Sequence, residues 1–267
     1  MTVNLHTHTV RCGHAKGTDR DYIEQAIKGG LTHLGFADHM PFVFPDGHES
    51  NFRIPMAKAQ DYMDSLRALR EEYRDQITIH IGFEMEYYPL YFKEMIKIPQ
   101  TLGAEFLLLS QHYVKNEYPN GSKYMGRPTD SDEELILYAD ALIAGMKTGV
   151  FSYAAHPDLI RYVGKNRALY EEQMRRICQT AKATDMPLEL NLLGVRDKRH
   201  YPVRRFWEIA AEEDCETVLG CDAHQPEAVT DPSSAEVSLE WIRELGLNYN
   251  PTPRLIHPFT GRITQTE

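Results

Sequence analysis

The chain has 267 residues, 42% of them hydrophobic, which suits one large α/β domain or two small ones and excludes a disordered chain. Its formal net charge of -10 argues against a long nucleic acid bound on a broad basic surface. No stretch approaches about 18 uninterrupted apolar residues, so we expect no membrane span.

The cysteines and the N-terminus predict the cellular compartment. The four cysteines include no CxxC pair, and they are Cys12, Cys178, Cys215 and Cys221. The chain enters its first strand with no basic region and no apolar run of a signal peptide. We therefore expect free thiols, a reducing compartment and a cytoplasmic protein.

Seven strand-then-helix units follow one another with no linker between them. The predicted strands are short apolar or β-branched runs at residues 2–6, 31–37, 77–83, 106–109, 151–155, 188–191 and 217–221. The first predicted helix begins at Thr18, which can cap it, and ends at Gly29-Gly30. The later helices are predicted at residues 56–73, 90–98, 131–146, 168–184, 203–213 and 234–245.

Repeated βα units with buried strands predict parallel strands covered by helices. Such units form an open doubly wound sheet or a closed barrel. Histidines and acidic residues follow six of the seven strands here, all but the sixth. In a barrel the carboxyl ends of all strands face one mouth, whereas in an open sheet only strands near the switch point share a crevice. We therefore predict a barrel formed by residues 1–267 as a single domain.

The first strand leads into a His-Thr-His motif, with His6 and His8 on one face of an extended chain. His14 follows six residues later, past a glycine. Together with residues after the later strands, these make nine candidate metal ligands: His6, His8, His14, His39, Glu84, His112, His156, Asp222 and His224. Nine ligands exceed the needs of one ion and divide among three, with a carboxylate bridging two of them. Imidazole and carboxylate suit Zn, Fe or Mn better than Ca or Mg.

The motifs resemble the PHP (polymerase and histidinol phosphatase) family. They are His-Thr-His, Asp38-His39, Gly82-Phe83-Glu84, Ser110-Gln111-His112, Ala155-His156-Pro157-Asp158 and Gly220-Cys221-Asp222-Ala223-His224. The resemblance covers nearly the whole chain and is greatest to the stand-alone histidinol-phosphate phosphatases. It implies a distorted (β/α)7 barrel with a trinuclear metal centre that hydrolyses a phosphomonoester, L-histidinol phosphate, for histidine biosynthesis.

The resemblance also implies how the ligands divide. The first metal takes His6, His8, Glu84 and Asp222. The second shares Glu84 and adds His112 and His156. The third takes His14, His39 and His224. We expect two to three divalent ions in all.

Metal-assisted hydrolysis of a phosphomonoester needs groups that hold the phosphoryl oxygens and protonate the leaving alkoxide. Arg161, five residues after His156, and Arg196, after strand six, are the arginines predicted to bind the phosphoryl group, because guanidinium matches phosphate geometry. Asp222 and His224 are alternatives for the proton donor. For the amine of the substrate, acidic contacts are open among Asp46, Glu86 and Glu117.

Three other functions share parts of this pattern. A PHP-type phosphoesterase for another small phosphate ester or a nucleotide uses the same metals. An amidohydrolase-type deacetylase or lactonase also begins with HxH, but it usually needs an eighth strand and a lysine ligand, and no lysine ends strand four. A metal-storage module does not need the arginines. The partner we expect is a small phosphomonoester, and the sequence does not predict an oligomeric state.

Overall fold

The computed structural model describes residues 1–117 and 123–266. Its main sheet has eight parallel strands whose order in space is their order in the chain. They are β1 (Val3–Asn4), β2 (His33–His39), β3 (Thr78–Glu86), β4 (Phe106–Ser110), β5 (Tyr153–Ala154), β6 (Leu188–Asn191), β7 (Glu216–Gly220) and β8 (Asn248–Tyr249). A separate antiparallel pair joins β9 (Leu255–Ile256) and β10 (Ile263–Thr264).

The sheet curls until its first and seventh strands meet at their carboxyl ends. A parallel bridge joins Thr7, just after β1, to Ala223, just after β7. His8 N donates to the Ala223 carbonyl at 2.9 Å, and Ala223 N donates to the His6 carbonyl at 3.2 Å. At its amino end β7 pairs instead with β8. The predicted distorted barrel is thus confirmed, with the mouth formed by the first seven strands.

The helices are α1 (Asp19–Lys28), α2 (Ala59–Glu72), α3 (Phe92–Met95), α4 (Lys97–Leu102), α5 (Asp132–Met146), α6 (Arg167–Ala183), α7 (Leu192–Arg196), α8 (Arg204–Glu212) and α9 (Pro232–Leu245). Side chains with hydrogen-bonding oxygens cap several of them. Thr18 and Asp21 form a reciprocal capping box at α1, and Ser131 caps α5.

Two regions differ from the sequence prediction. The helix expected at 90–98 is two short helices, α3 and α4. The segment after β6, where no helix is predicted before residue 203, contains the five-residue helix α7. The strands β8, β9 and β10 were not predicted. Each has two residues, which is too short to show a strand periodicity.

Alternate side chains of each strand point into the barrel, and the character of this interior differs between the two ends of the strands. Toward the amino ends the interior is apolar and includes Val3, Phe106, Leu108, Tyr153 and Val218, with Leu255 of β9 packed against them. Toward the carboxyl ends the interior side chains are polar and buried. The alternate residues of each strand face the larger core beneath the helices. The apolar half therefore forms a floor for a polar mouth.

No helix within residues 1–117 or 123–266 combines the length and the apolar composition that a bilayer crossing requires. The four cysteines are buried free thiols.

A histidine pair lies at the amino ends of β2 and β3, away from the mouth. The His33 and His80 rings stack with centroids 5.3 Å apart, and His33 Nδ1 lies 3.0 Å from His80 Nε2. Burial, His33 and Arg70 lower the pKa of His80 from 6.5 to about 4. His80 is therefore neutral in the folded protein at neutral pH, and its protonation favours the unfolded chain.

We expect His80→Gln to reduce the acid sensitivity of the protein. Because the folded pKa lies below the unfolded one, the stabilising contribution of His80 is complete above pH 6.5. It is lost as the pH falls toward 4, by about 2 kcal/mol between pH 7 and pH 5. Urea unfolding of chelator-treated protein at these two pH values measures this loss. An equal loss in wild type and variant would contradict the assignment.

Candidate metal centre

The nine predicted ligands converge at the carboxyl ends of the strands, as a barrel requires. Seven of them line a central cavity of about 480 Å³: His14, His39, Glu84, His112, His156, Asp222 and His224. His6 and His8 are fully buried and reach the same cluster. Residues separated by more than 200 positions in the sequence thus share one site.

Glu84, near the end of β3, lies at the centre of the cluster and is 1% exposed. Ring nitrogens of five histidines lie within 3.7 Å of its carboxylate oxygens. The distances are 3.6 Å for His6, 3.7 Å for His8, 2.8 Å for His39, 3.7 Å for His112 and 2.9 Å for His156. A carboxylate surrounded in this way can bridge two metal ions, with one oxygen coordinating each.

Asp222, after β7, faces Glu84 across the cluster. Its Oδ1 lies 3.1 Å from His8 Nε2, 3.7 Å from His6 Nε2 and 3.4 Å from His224 Nδ1. The backbone of Asp222 has a φ of 45°, and that of His156 has a φ of 31°, a region that non-glycine residues rarely adopt. The tight turns after β5 and β7 therefore each hold a predicted ligand in strained backbone, which is common at functional sites.

The third predicted group, His14, His39 and His224, includes the exposed His14 and the half-buried His224. Ring centroids are 4.8 Å apart for His14 and His224 and 5.2 Å apart for His14 and His39. Cys12 also lies here, because its sulfur is 3.9 Å from His14 Nε2, and it donates a hydrogen bond to the Thr9 carbonyl at 3.1 Å. His8, His39 and His224 also bring ring nitrogens close together. His8 therefore lies between the first and third predicted groups.

Three carboxylates orient three of the imidazoles from behind. Glu189 lies 2.8 Å from His6 Nδ1, Asp38 lies 3.3 Å from His8 Nδ1, and Glu86 lies 2.6 Å from His112 Nδ1. A carboxylate accepts hydrogen bonds, so each Nδ1 carries a hydrogen and each Nε2 faces the cluster, where it can bind an ion once its own proton is displaced. This arrangement is typical of histidines that bind metals.

Sequence reasoning did not identify these three roles. Strand six carries no predicted ligand, but Glu189 on it contacts two of them, since it also accepts from His156 N at 3.1 Å, and it accepts from Asn191 Nδ2 at 2.8 Å. A signal was present, because Glu189 and Asn191 alternate with leucines in a strand whose other face is core. Polar residues at alternate positions of a buried strand indicate a polar interior.

Burial and neighbouring charges shift the pKa values of the clustered histidines in opposite directions. Burial opposes charge on His6, but Glu189 and Asp222 outweigh it and raise its pKa to about 10. Burial and the charges of His8 and His112 lower the pKa of His39 to about 4, because together they outweigh Glu84, which raises it. The surrounding histidines hold the pKa values of Glu84 and Asp222 well below their usual range. Both carboxylates are therefore anionic, and an ion binding at His6 displaces a proton.

The cluster has unmet hydrogen-bonding capacity that a cation would satisfy. Glu84 Oε2, His39 Nδ1 and His156 Nδ1 are buried and have no hydrogen-bond partner among the described residues. His39 Nδ1 and Glu84 Oε2 are 2.8 Å apart, but their relative orientation does not form a hydrogen bond. Leaving such groups unpaired in a protein interior is costly. Two anionic carboxylates among seven imidazoles fit divalent ions of the Zn, Fe and Mn type.

We expect Glu189→Gln to weaken metal binding by about 10- to 100-fold, because an amide orients His6 less well and does not raise its basicity. Competition with a chromophoric chelator measures the affinity. Glu236→Gln, an exposed carboxylate on α9, is the matched control and should bind as wild type does. Wild-type affinity in the Glu189 variant would show that this carboxylate only fills the interior.

The structure places the two predicted arginines differently. Arg196, at the end of α7, lines the central cavity and bonds Asp231 at 2.5 Å. Its Nη2 lies 3.3 Å and 3.4 Å from the carbonyls of Cys221 and Asp222. Arg161 is exposed and lies outside the lining of the central cavity, in a neighbouring one. Arg199, which sequence reasoning did not single out, lines both cavities.

Two of the three acidic residues predicted as contacts for the substrate amine instead form ion pairs within the protein. Glu86 and Glu117 both accept from the buried Arg53, and Glu86 also contacts His112. Asp46 is exposed and outside the cavity lining. Asp197, by contrast, lines the cavity, where it accepts from Arg199 at 3.2 Å. It is the cavity's one carboxylate outside the histidine cluster within the described part of the chain.

A barrel whose mouth holds buried histidines and two carboxylates defines the metal-dependent hydrolase class. Comparison with known families specifies it further, because residues 4–192 match the PHP domain. The chain belongs to the PHP domain family.

Relatives and solved structures agree with this assignment. A probable histidinol-phosphatase of Deinococcus radiodurans is 28% identical over 226 residues, covering 83% of this chain and 85% of the relative. The crystal structure of histidinol phosphate phosphatase from Lactococcus lactis, complexed with zinc, L-histidinol and phosphate, superposes with a TM-score of 0.70. It has 20% identity and covers 94% of this chain and 96% of that one. The crystal structure of a putative histidinol phosphatase from Listeria monocytogenes superposes with a TM-score of 0.69. It has 18% identity and covers 87% of this chain and 99% of that one.

Proposed function

We propose that the chain is a metal-dependent phosphomonoester hydrolase that converts L-histidinol phosphate to L-histidinol and phosphate. The observation that carries this proposal is the carboxylate of Glu84 with five imidazoles around it, at the base of a cavity that arginines also line. The relatives named histidinol-phosphatases support the substrate.

We propose the ligand division that the family resemblance implies. The first ion is held by His6, His8, Glu84 and Asp222, the second by Glu84, His112 and His156, and the third by His14, His39 and His224. The proximity of each set supports it. The ions are two or three of Zn, Fe or Mn, of which zinc accompanies the Lactococcus lactis protein.

When bound, the ions lower the pKa of a coordinated water and neutralise phosphoryl oxygens, the two requirements for attack on a phosphate dianion. The protein supplies the rest. Arg196 and Arg199 line the cavity and hold equatorial phosphoryl oxygens. Asp222 and His224 remain the alternatives for giving a proton to the leaving alkoxide oxygen.

The cavity wall away from the ligands suits an aromatic, cationic substrate. Phe52 and Tyr113 stack with ring centroids 5.7 Å apart, and Tyr124 and Tyr201 add further rings. Asp197 supplies an exposed carboxylate to meet an ammonium group. These features match the imidazole and amine of histidinol phosphate better than they match a polyanionic substrate. We also propose that the enzyme is cytoplasmic.

A panel of substrates tests the proposed reaction. Metal-loaded and chelated protein are compared on a phosphomonoester, a phosphodiester and an amide. We expect phosphate release from the monoester, dependent on metal. Activity on diesters alone, or on amides alone, would overturn the proposal and favour the other hydrolase classes that share an HxH barrel.

A further inference from the structure

A buried arginine lies behind the wall of the central cavity. Arg53 belongs to the segment between β2 and α2, and its side chain is 1% exposed. Two carboxylates flank it, Glu86 on β3 and Glu117 after β4, and neither side chain is more than 2% exposed. Burying such a charged network is costly, and apolar residues of similar volume often stabilise a protein as well or better. Stability alone therefore does not explain the presence of Arg53.

The guanidinium group of Arg53 binds three partners in three directions. Its Nη1 donates to the Met40 carbonyl at 2.7 Å, its Nη2 donates to Glu86 Oε2, and its Nε donates to Glu117 Oε1. Tyr88 donates to the other oxygen of Glu117. A planar guanidinium presents its donors at fixed angles, so these bonds fix the three partners relative to one another.

Glu86 connects Arg53 to a predicted metal ligand. Its Oε1, the oxygen that does not bind Arg53, lies 2.6 Å from His112 Nδ1. The carboxylate therefore accepts from Arg53 with one oxygen and from His112 with the other. Because a carboxylate is planar, a partner that holds one oxygen also restricts the position of the other. The orientation of the His112 ring thus depends on Arg53 through Glu86.

The backbone that carries Arg53 is anchored to the end of β2. Arg53 N donates to the Ser50 carbonyl at 3.2 Å, and Ile54 N donates to the His39 carbonyl at 3.2 Å. The guanidinium carbon lies 5.1 Å from the ring centroid of Phe52, which lines the central cavity. The guanidinium therefore extends from a fixed backbone and packs on the cavity wall.

We propose that Arg53 is a positioning residue of the metal centre, which fixes Glu86 and thereby holds His112 in the orientation that binds an ion. The inference rests on the proposed role of His112 as a ligand of the second ion. Arg53 is too buried to contact a substrate, so it acts through its partners. A ligating histidine depends on the carboxylate behind it, and that carboxylate depends in turn on its own hydrogen bonds.

Competition between the protein and a chromophoric chelator for zinc measures this role. Arg53→Lys keeps the charge but does not donate in three fixed directions. We expect it to weaken the binding of one zinc ion per chain by about 3- to 10-fold, less than the loss of a direct partner of a ligand. Arg175→Lys is the matched control and should bind zinc as wild type does. Arg175 also joins two carboxylates, Glu212 and Glu213, but it does so outside the barrel, beside α6 and α8.

A second background separates positioning from general support of the fold. His112→Ala removes the ligand through which Arg53 is proposed to act. Adding Arg53→Lys to His112→Ala should therefore weaken zinc binding by less than about twofold further. A residue that only supports the barrel would weaken zinc binding equally in both backgrounds, and that result would overturn the proposal. Wild-type zinc affinity in Arg53→Lys would overturn it as well.

Glu117→Gln keeps the test decisive if Arg53→Lys fails to fold. Its amide oxygen still accepts from Arg53 but carries no charge, so zinc binding should weaken by about 2- to 5-fold, and only where His112 is present. Wild-type affinity in this variant would then overturn the proposal. Unchanged zinc binding in His112→Ala would overturn the ligand division and this inference together. A protein that binds zinc as expected but releases no phosphate would contradict only the proposed function.

Discussion

Replacing Glu84 by Gln should abolish most of the metal binding and lower kcat/KM by at least about 10³-fold, or about 4 kcal/mol of transition-state stabilisation. The amide carries no charge, and it presents one acceptor oxygen where the carboxylate presents two. Five imidazole nitrogens within 3.7 Å of that carboxylate would then surround a neutral group. Loss should be greatest for the two ions that Glu84 is proposed to bridge.

Elemental analysis and kinetics on the same preparation measure both effects. Wild type should hold two to three ions per chain and the variant about one or none. Glu236→Gln changes the net charge by the same amount on the exposed face of α9 and should behave as wild type. Full metal content in Glu84→Gln would contradict the bridging role.

Replacing Arg196 by Ala should lower kcat/KM by about 10- to 1000-fold, the range for about 1.4–4 kcal/mol of transition-state binding. The structure gives Arg196 two ways to act. It lines the cavity where a phosphoryl group is proposed to lie, and its guanidinium contacts the carbonyls of Cys221 and Asp222. The first role acts on the substrate, and the second holds the turn that carries a proposed ligand.

Metal content separates the two roles. If Arg196 binds phosphate, the alanine variant keeps its ions and Arg196→Lys recovers only part of the activity, since lysine does not bind bidentately. If it holds the turn, the alanine variant also loses metal. Asp231→Asn, which keeps the cap of α9 but weakens the pair with Arg196, should give a smaller effect. Wild-type kinetics in Arg196→Ala would show that neither role exists.

Much of the fold was predictable because buried parallel strands are apolar runs at regular intervals. The convergence of His6 and Asp222 followed from the same pattern, since a barrel brings all its strand ends together. The segment after β6 was harder, because α7 has only five residues. The strand β8, with two residues, gave no periodic signal.

The carboxylates that orient the predicted ligands were harder to identify from the sequence than the predicted ligands themselves. Glu189 lies inside a strand and not at its end, so a search of strand ends passes over it. Arg199 reaches the central cavity and Arg161 does not, and the position of Arg199 depends on how residues 197–202 turn after α7. Sequence spacing predicts which strand end a residue follows, but not the direction of its side chain in an irregular segment.

The most direct test of the proposed function is phosphate release by the metal-loaded protein from L-histidinol phosphate and from p-nitrophenyl phosphate, measured side by side. A cavity with an aromatic wall and a carboxylate for the amine should prefer histidinol phosphate by about 10⁴-fold in kcat/KM, because polar groups that pair with its amine and imidazole are otherwise unpaired. Similar values for the two esters would leave a general phosphatase and contradict the substrate. Absence of phosphate release from either ester, with the metals bound, would contradict the proposed function as a whole.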